Sequence, residues 1–355
     1  MSRPRGAVVE LNVLHGEMLP SYAHLAARAG IDAEFHVLSE NLALGPFEGT
    51  GVEPTVVPID VDDPHDPCRA TDQLRERLLD GGYDFVLMCT PEPVDRLAFA
   101  LDLPLPKLLV AHTPTGTLAD HPDVTWVVLN RHATVRHPRA MLLDPWFAGP
   151  VPDREPRRDP VTFGVVGNLQ LRRRNYGSLL RGLDRVRCAG FAPSDVQVRL
   201  IGRWTDAELP LGVPLGLDGP RFFAAAEERG LREFLAVTPA AQLSNGELRR
   251  ELAGCHYALP LIDDFYAPTR PYLAGKASGG FAQAIASSTV PVANRRFAAG
   301  SGISGFHGHD LDDVATAMLA ALEDDDDVLV ASLVDDRERG LARSAARLRT
   351  WAEAL

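Results

Sequence analysis

The sequence predicts an α/β protein made of two Rossmann-like domains in tandem, with a cleft between them. Short apolar segments alternate with amphipathic ones along the chain, and a proline-rich segment near residues 144–160 interrupts the alternation once. Continuously apolar strands separated by helices are typical of a parallel sheet covered on both faces. The chain has 355 residues, 45% of them hydrophobic, which is enough for two domains of ordinary size.

The first predicted domain, residues 1–152, has the element order of a doubly wound βα domain. We predict strands at Ala7–Val13, Ala33–Leu38, Thr55–Ile59, Phe85–Met88, Leu108–Ala111 and Trp126–Leu129, and helices at Leu19–Ala29 and Thr71–Leu79. The prolines and charges from Asp144 to Pro160 then indicate an inter-domain linker.

The second predicted domain, residues 161–335, repeats the alternation. We predict strands at Val161–Val166, Val196–Ile201, Phe234–Val237, Ala258–Ile262 and Val290–Ala293, and helices at Tyr176–Val186, Phe222–Arg229, Leu248–Ala253, Gly279–Ser287 and Leu311–Leu322. The acidic run Glu323–Asp327 is interpreted as a solvated loop or helix start rather than a metal site. Residues 336–355 are predicted as a C-terminal helix that packs back on the first domain.

Composition and charge exclude several classes of function. A net charge of −12 argues against broad binding to nucleic acid or to an anionic membrane. No apolar run approaches the roughly 20 residues needed to cross a bilayer, and the first residues turn polar too soon for a signal peptide. The four cysteines are far apart and form no ligand cluster, which predicts free thiols in the cytoplasm and no resident metal.

The segment Tyr266–Asn294 contains the clearest candidate for an anion site. Lys276 is one of only two lysines in the chain, and Ser278, Gly279 and Gly280 stand where a short apolar helix should begin. A helix start offers unpaired N–H groups and the positive end of the macrodipole, and glycines allow close approach. The pattern predicts a phosphate or diphosphate site; the alternative is an ordinary serine cap followed by flexible glycines.

A second loop at the same predicted sheet edge is suited to phosphate. The strand Val161–Val166 ends in Gly167-Asn168, and the loop that follows carries Arg172, Arg173 and Arg174. Arginine binds phosphate oxygens in a bidentate manner, and open α/β sheets bind ligands at the carboxyl ends of their strands. A solvated basic face is the alternative interpretation of the three arginines.

The order of loops in residues 161–297 resembles the GT-B glycosyltransferases, in particular a divergent member of the glycosyltransferase 4-like group. The resemblance rests on two strands that end in glycine, on the Leu259-Pro260-Leu261 strand and on the small-residue helix that leads to Pro291-Val292. It implies the GT-B fold and the transfer of a hexose from a nucleotide-diphosphate donor, such as a UDP- or GDP-sugar, to an acceptor hydroxyl in carbohydrate biosynthesis. No metal or cofactor is implied beyond the nucleotide sugar itself.

By the same resemblance, the donor diphosphate would contact a set of residues on two loops. They are Gly167, Asn168, Arg173, Arg174, Lys276, Ser278, Gly279 and Gly280. Further donor-site candidates are Arg203, Trp204 and Asp264, with packing or solvent exposure as the alternative for Trp204 and for Arg295-Arg296.

The chain departs from the resemblance at one point. Retaining members usually carry two glutamates with seven residues between them, and the second would fall here on Gln283 or Ala284. Retention and inversion of the sugar therefore both stay open. Two other functions stay open as well: a non-hydrolysing nucleotide-sugar 2-epimerase, or a catalytically silent protein that binds a nucleotide or a partner.

An inverting transferase needs a general base near the acceptor hydroxyl. His15 and Glu17 follow the first predicted strand directly, and His112 follows the strand Leu108–Ala111. These three residues are the catalytic candidates, and His132 is a weaker one. A hydrogen-bonded structural role is the alternative for each histidine.

Overall fold

The computed structural model describes most of the chain, in twelve segments. They are residues 3–12, 15–60, 67–91, 94–114, 118, 120–144, 159–167, 169, 174–202, 219–238, 243–324 and 326–355.

The first half of the chain forms one sheet and its helices. The strands are β1 (Arg5–Glu10), β2 (Asp32–Leu38), β3 (Thr55–Ile59), β4 (Phe85–Met88), β5 (Lys107–Ala111), β6 (Val124–Val128) and β7 (Met141–Leu142). The helices are α1 (Leu19–Ala29), α2 (Ser39–Leu42), α3 (Pro67–Asp80), α4 (Val94–Asp102) and α5 (Arg131–Arg136). The seven strands are parallel, in the order β3-β2-β1-β4-β5-β6-β7.

The second half repeats this architecture. Its strands are β8 (Val161–Val166), β9 (Val196–Ile201), β10 (Leu235–Val237), β11 (Tyr257–Ala258), β12 (Val290–Asn294) and β13 (His307–His309). Its helices are α6 (Tyr176–Cys188), α7 (Gly219–Glu228), α8 (Asn245–Ala253), α9 (Arg270–Leu273), α10 (Gly279–Ala286), α11 (Arg295–Ser301), α12 (Val314–Glu323) and α13 (Asp327–Glu353). The six strands are also parallel, in the order β10-β9-β8-β11-β12-β13. Two parallel-sheet α/β units in tandem confirm the predicted fold class.

Several predicted element boundaries are wrong; the C-terminal helix, for example, begins at Asp327 rather than at residue 336. Three of the differences have a local reason. The first strand ends at Glu10, since the carboxylate of Glu10 accepts a hydrogen bond from the N–H of Asn12 and turns the chain. The strand predicted at Ala258–Ile262 stops at Ala258, and Leu261 has a left-handed φ of 53°. Helix α12 begins at Val314 because Asp313 accepts from the N–H of Thr316 and caps it.

The C-terminal helix α13 contacts both halves of the molecule. Near its start, Arg337 donates to the carbonyl of Ala286 at 3.1 Å. Near its end, the indole N–H of Trp351 donates to Thr125 at 3.0 Å, and its ring packs edge-on against Phe85. Helix α13 therefore ties the two sheets together, and none of the described helices combines the length and apolar character that a bilayer-spanning segment needs.

Two further contacts join the halves on either side of the cleft. On one side, the ring Nε2 of His132 in α5 lies 2.9 Å from the carbonyl of Arg296 in α11. On the other, residues 44–48 meet the start of α8, where Asn245 donates to the carbonyl of Leu44 at 2.8 Å and Arg249 donates to the carbonyl of Glu48. The contact of His132 with Arg296 is of the hydrogen-bonded structural kind that the sequence analysis gave as the alternative to a catalytic role.

Candidate functional site

The cleft lies where the chain order reverses in each sheet. In the first sheet β1 and β4 are neighbours, and the chain runs outwards from them in opposite directions; β8 and β11 hold the same position in the second sheet. Open α/β sheets bind ligands at the carboxyl ends of strands at such switch points. The topology therefore directs attention to the loops after β1, β4, β8 and β11, and β5, the strand beside β4, ends at the same edge.

On the second-domain side, α10 begins directly against the end of β8. A Cβ atom at Gly280 would lie 2.9 Å from the carbonyl oxygen of Val166, which is closer than a side chain tolerates. Gly167, the next residue, has a φ of +100°, a conformation that glycine adopts without strain. These glycines let the start of α10 and the end of β8 form one continuous backbone surface.

Arg174 lies behind that surface. Its guanidinium donates to the carbonyls of Pro260, at 2.9 Å, and Val166, and the side chain is 8% exposed. The two terminal nitrogens of Arg174 are thus engaged with backbone carbonyls, and its contact with a diphosphate stays a prediction. Arg174 holds the ends of β8 and β11 together beneath the start of α10.

The start of α10 has the features of an anion site. Ser278 is the N-cap, and its hydroxyl accepts from the N–H of Phe281 at 3.4 Å. The N–H groups of the first residues of a helix have no partner within the helix and carry the positive end of its dipole. The ammonium of Lys276 lies 5.4 Å from the centre of the Tyr272 ring, just ahead of this helix.

On the first-domain side, three side chains are grouped at the ends of β1 and β5. The rings of His15 and His112 lie 4.7 Å apart, and Nδ1 of His15 lies 3.6 Å from the carboxylate of Glu17. The structure thus places together the three residues that the sequence nominated for catalysis.

His112 and His15 have different surroundings within this group. Nε2 of His112 lies 2.7 Å from the carbonyl of Cys89, so it carries the proton and donates. Burial, and then the nearby charge of His15, lower the pKa of His112 to about 4. His112 is therefore neutral near pH 7, whereas the side chain of His15 is 30% exposed and open to the cleft.

The two sides meet across the cleft. A Cβ atom at Gly279 would overlap Oε1 of Glu17, so the Glu17 carboxylate lies against the first residue of α10. Lys276 is near enough to His112 to lower the pKa of that histidine further. One compact site therefore contains the histidine pair, a carboxylate, a lysine and a helix start.

Glu10 is a functional candidate that the sequence analysis missed. It is fully buried at the end of β1, where its two carboxylate oxygens accept from the N–H of Asn12 at 2.7 Å and the hydroxyl of Thr90 at 2.8 Å. Asn41 donates to the carbonyl of Asn12 at 2.7 Å, so the loop leading to His15 is held from both sides. The sequence feature that could have identified Glu10 is its position as a charged residue at the end of an otherwise apolar run, Ala7–Val9.

The burial of the Glu10 carboxyl predicts a specific pH dependence of protein stability. The pKa of the Glu10 carboxyl is raised from 4.5 to about 7, and burial is the largest cause. The folded protein then holds a proton that the unfolded chain releases between these values, so wild-type stability falls as pH rises from about 4.5 to 7. We expect the stability of Glu10→Gln relative to wild type to rise by roughly 3 kcal/mol across this window, measured by urea unfolding at each pH.

The comparison of two variants isolates this effect. Glutamine has nearly the shape of glutamate and can still accept from Asn12, while the Thr90 hydroxyl can accept instead of donate. Glu353→Gln, at the exposed end of α13, reports the effect of removing a surface carboxylate. A Glu10→Gln difference that is flat from pH 4.5 to 8 would show that Glu10 is not a proton-binding group of the fold.

The remaining predicted site residues fall into two sets. Asp264 is paired with Arg296 at 3.1 Å and accepts from Asn294 at 3.2 Å, so it is part of the support of β12 and α11. The second set lies outside the described residues: Asn168, Arg172, Arg173, Arg203 and Trp204.

Gln283 stands at one of the two positions where the resemblance to retaining glycosyltransferases places the second glutamate, the other being Ala284. It is buried in α10, and its amide donates to the side chain of Asn245 at 3.3 Å. Among the residues that the structure describes, no group of three or more His, Cys, Asp or Glu side chains is placed to hold a metal ion.

Solved structures share this architecture along the whole chain. HepE from Anabaena, in complex with UDP and glucose, is 10% identical with a TM-score of 0.60, and the match covers 99% of each chain. A glycosyltransferase from Rickettsia africae ESF-5 is 9% identical with a TM-score of 0.59, again over 99% of each chain. A UDP-forming α,α-trehalose-phosphate synthase from Burkholderia xenovorans is 11% identical with a TM-score of 0.58, over 99% of this chain and 98% of that one.

These likenesses establish the fold of the chain as GT-B. No protein-family model and no curated protein matches the sequence.

Proposed function

We propose that this protein is a glycosyltransferase that moves a sugar from a nucleotide-diphosphate donor to an acceptor hydroxyl. The observation that carries the proposal is the meeting, across one cleft, of the start of α10 and Lys276 with His15 and His112. One side offers positive charge and backbone N–H groups to an anion; the other offers an imidazole to a hydroxyl.

The donor side would stabilise the leaving group. When the bond between the anomeric carbon and the diphosphate oxygen breaks, negative charge grows on that oxygen. Lys276 and the N–H groups at the start of α10 lie where they can stabilise this charge without a metal ion. Gly279 and Gly280 let the phosphate oxygens approach the backbone closely.

The acceptor side would supply the base. The acceptor hydroxyl forms the new bond to the anomeric carbon and loses its proton, which His15 can take. His112 is neutral and donates to the Cys89 carbonyl, so it supports the His15 ring rather than taking the proton. With His15 as a base for the acceptor, we expect inversion of the configuration at the anomeric carbon of the sugar.

The structural neighbours support a nucleoside diphosphate as the ligand. HepE was solved with UDP and glucose, and the trehalose-phosphate synthase is described as UDP-forming. We propose a finer assignment, to a divergent branch of the glycosyltransferase 4-like group, on the order of loops in residues 161–297. A cytoplasmic location is proposed on the four widely spaced cysteines, which are typical of free thiols.

Calorimetric titration with UDP, GDP, dTDP, ADP and CDP tests the donor site. We expect one diphosphate to bind wild type clearly more tightly than the others. Lys276→Ala should weaken that binding by about 1–3 kcal/mol, the usual cost of losing a hydrogen bond to a charged group. This corresponds to roughly five- to 150-fold in the dissociation constant.

Arg229→Ala is the matched control, because Arg229 lies beyond the C-terminal end of α7 and pairs there with Asp184. It removes one positive charge far from the cleft. If none of the five diphosphates binds either wild type or Glu17→Gln, which removes the carboxylate that lies against Gly279, the transferase function is excluded. Turnover of the selected nucleotide sugar without any acceptor would favour the 2-epimerase, and binding without turnover would favour a silent binding protein.

A further inference from the structure

The carboxylate of Glu17 lies where the proposed function places a donor phosphate. A Cβ atom on Gly279 would overlap Oε1 of Glu17 and would lie 2.8 Å from its Cγ. Glu17 belongs to the first domain and Gly279 is the first residue of α10 in the second. A negatively charged side chain of one domain therefore contacts the helix start of the other.

The position of Glu17 is set by its surroundings. It sits in the 3-10 turn Gly16–Met18, where the N–H of Met18 donates to the carbonyl of His15 at 3.1 Å. Gly16 is buried against Asn41, whose Oδ1 would lie 3.2 Å from a Cβ atom at that glycine. The side chain of Glu17 is only 22% exposed, so the turn directs the carboxylate into the cleft.

The electrostatics favour an anion at this point. The positive end of the α10 dipole, Lys276 and, when protonated, His15 all attract negative charge. Nδ1 of His15 lies 3.6 Å from the Glu17 carboxylate. These are the groups that the proposed function assigns to the donor diphosphate and to the base.

A similar contact lies at the other side of the cleft. A Cβ atom at Gly246, in the first turn of α8, would overlap the carboxylate of Glu48, which also pairs with Arg250 at 3.3 Å. Both contacts present a first-domain carboxylate to a glycine at a second-domain helix start. Only the Glu17 contact coincides with Lys276 and the switch point between β8 and β11.

We propose that Glu17 is a placeholder for the donor: its carboxylate occupies the diphosphate position at α10, and the donor must displace it to bind. This inference rests on the proposed function and adds a role to it. Two anions cannot share the start of α10, because like charges at contact distance repel strongly. Glu17 therefore sets a threshold for binding: a ligand must make stronger contacts at the start of α10 than Glu17 does.

The test is calorimetric titration of wild type, Glu17→Gln, Glu17→Asp and Glu48→Gln at one fixed salt concentration, with the five nucleoside diphosphates and inorganic pyrophosphate as probes. We expect Glu17→Gln to bind the preferred diphosphate roughly three- to thirtyfold more tightly than wild type, since a charge at a helix start contributes energies of this order. Glu17→Asp, whose shorter side chain draws the charge back, should show a smaller gain.

Glu48→Gln is the matched control for loosened contact between the domains. It removes the other first-domain carboxylate that faces a helix start, and we expect it to leave the dissociation constant within about twofold of wild type. Equal gains in Glu17→Gln and Glu48→Gln would overturn the placeholder role, because they would show a general effect of opening the cleft.

Two other outcomes separate a failure of the placeholder role from a failure of the proposed function. If wild type binds a diphosphate and Glu17→Gln binds it equally or more weakly, the placeholder role is wrong while the proposed function stands. If neither wild type nor Glu17→Gln binds any of the six probes, the proposed function itself is wrong and the placeholder role falls with it.

Discussion

Replacing His15 with alanine is expected to lower the turnover number by roughly 10²–10⁴-fold, the usual contribution of a positioned general base. The affinity for the nucleoside diphosphate should change far less than the turnover number, because the main donor-side contacts come from Lys276 and the start of α10. The measurement is release of nucleoside diphosphate from the nucleotide sugar selected by the calorimetric screen, with a panel of acceptors at saturating donor.

His132→Ala is the control for this result. His132 is also a histidine near the cleft, but its ring contacts the carbonyl of Arg296 and packs against Gly300. We expect His132→Ala to reduce stability while leaving the turnover number of the folded protein within a few-fold of wild type. A His15→Ala protein that keeps wild-type turnover would exclude His15 as the base and leave Glu17 as the remaining candidate.

Replacing Arg174 with methionine is expected to lower the free energy of unfolding by about 2–5 kcal/mol. Methionine fills much of the volume but leaves the carbonyls of Val166 and Pro260 without the donor that Arg174 supplies, and a buried unsatisfied polar group costs about 1–3 kcal/mol. Urea unfolding of wild type and variant measures the difference.

Arg181→Met is the matched control, since Arg181 lies in α6, the helix that begins two residues after Arg174, and its side chain is 54% exposed in a pair with Asp312. Exposed pairs of this kind contribute between 0 and about 1 kcal/mol. A loss at Arg174 no larger than that at Arg181 would mean that the two carbonyls find other partners. Arg174 would then be available for the phosphate contact that the sequence suggested.

The fold could be predicted from sequence because it depends on a repeated pattern. Buried parallel strands must be apolar along their whole length, and the helices between them must be apolar on one face. Two short strands, β7 and β13, were not predicted; β7 has only two residues, and β13 contains His307 and His309, which a search for apolar segments passes over. Helices α2, α4, α5, α9 and α11 were missed as well.

The candidate site could be predicted only in part. Lys276, Ser278, Gly279 and Gly280 are adjacent in sequence, so their shared position follows from one helix start. The direction of Arg174 could not be read from its neighbours, because its partners, Val166 and Pro260, are carbonyls at the ends of two different strands. The pairing of Asp264 could not be predicted for the same reason, since its partners Asn294 and Arg296 are about thirty residues away.

The sequence by itself determined the fold class, the helix start at Gly279 and the nomination of His15, Glu17 and His112. These are local properties: apolar periodicity, a serine cap followed by glycines, and polar residues directly after strands. Only the tertiary structure decided how those residues are used. It buried Glu10 and raised its pKa to about 7, turned Arg174 towards backbone, and set Glu17 against Gly279 across the cleft. Burial and contact between distant segments depend on how two domains pack, and no pattern within a single segment records that packing.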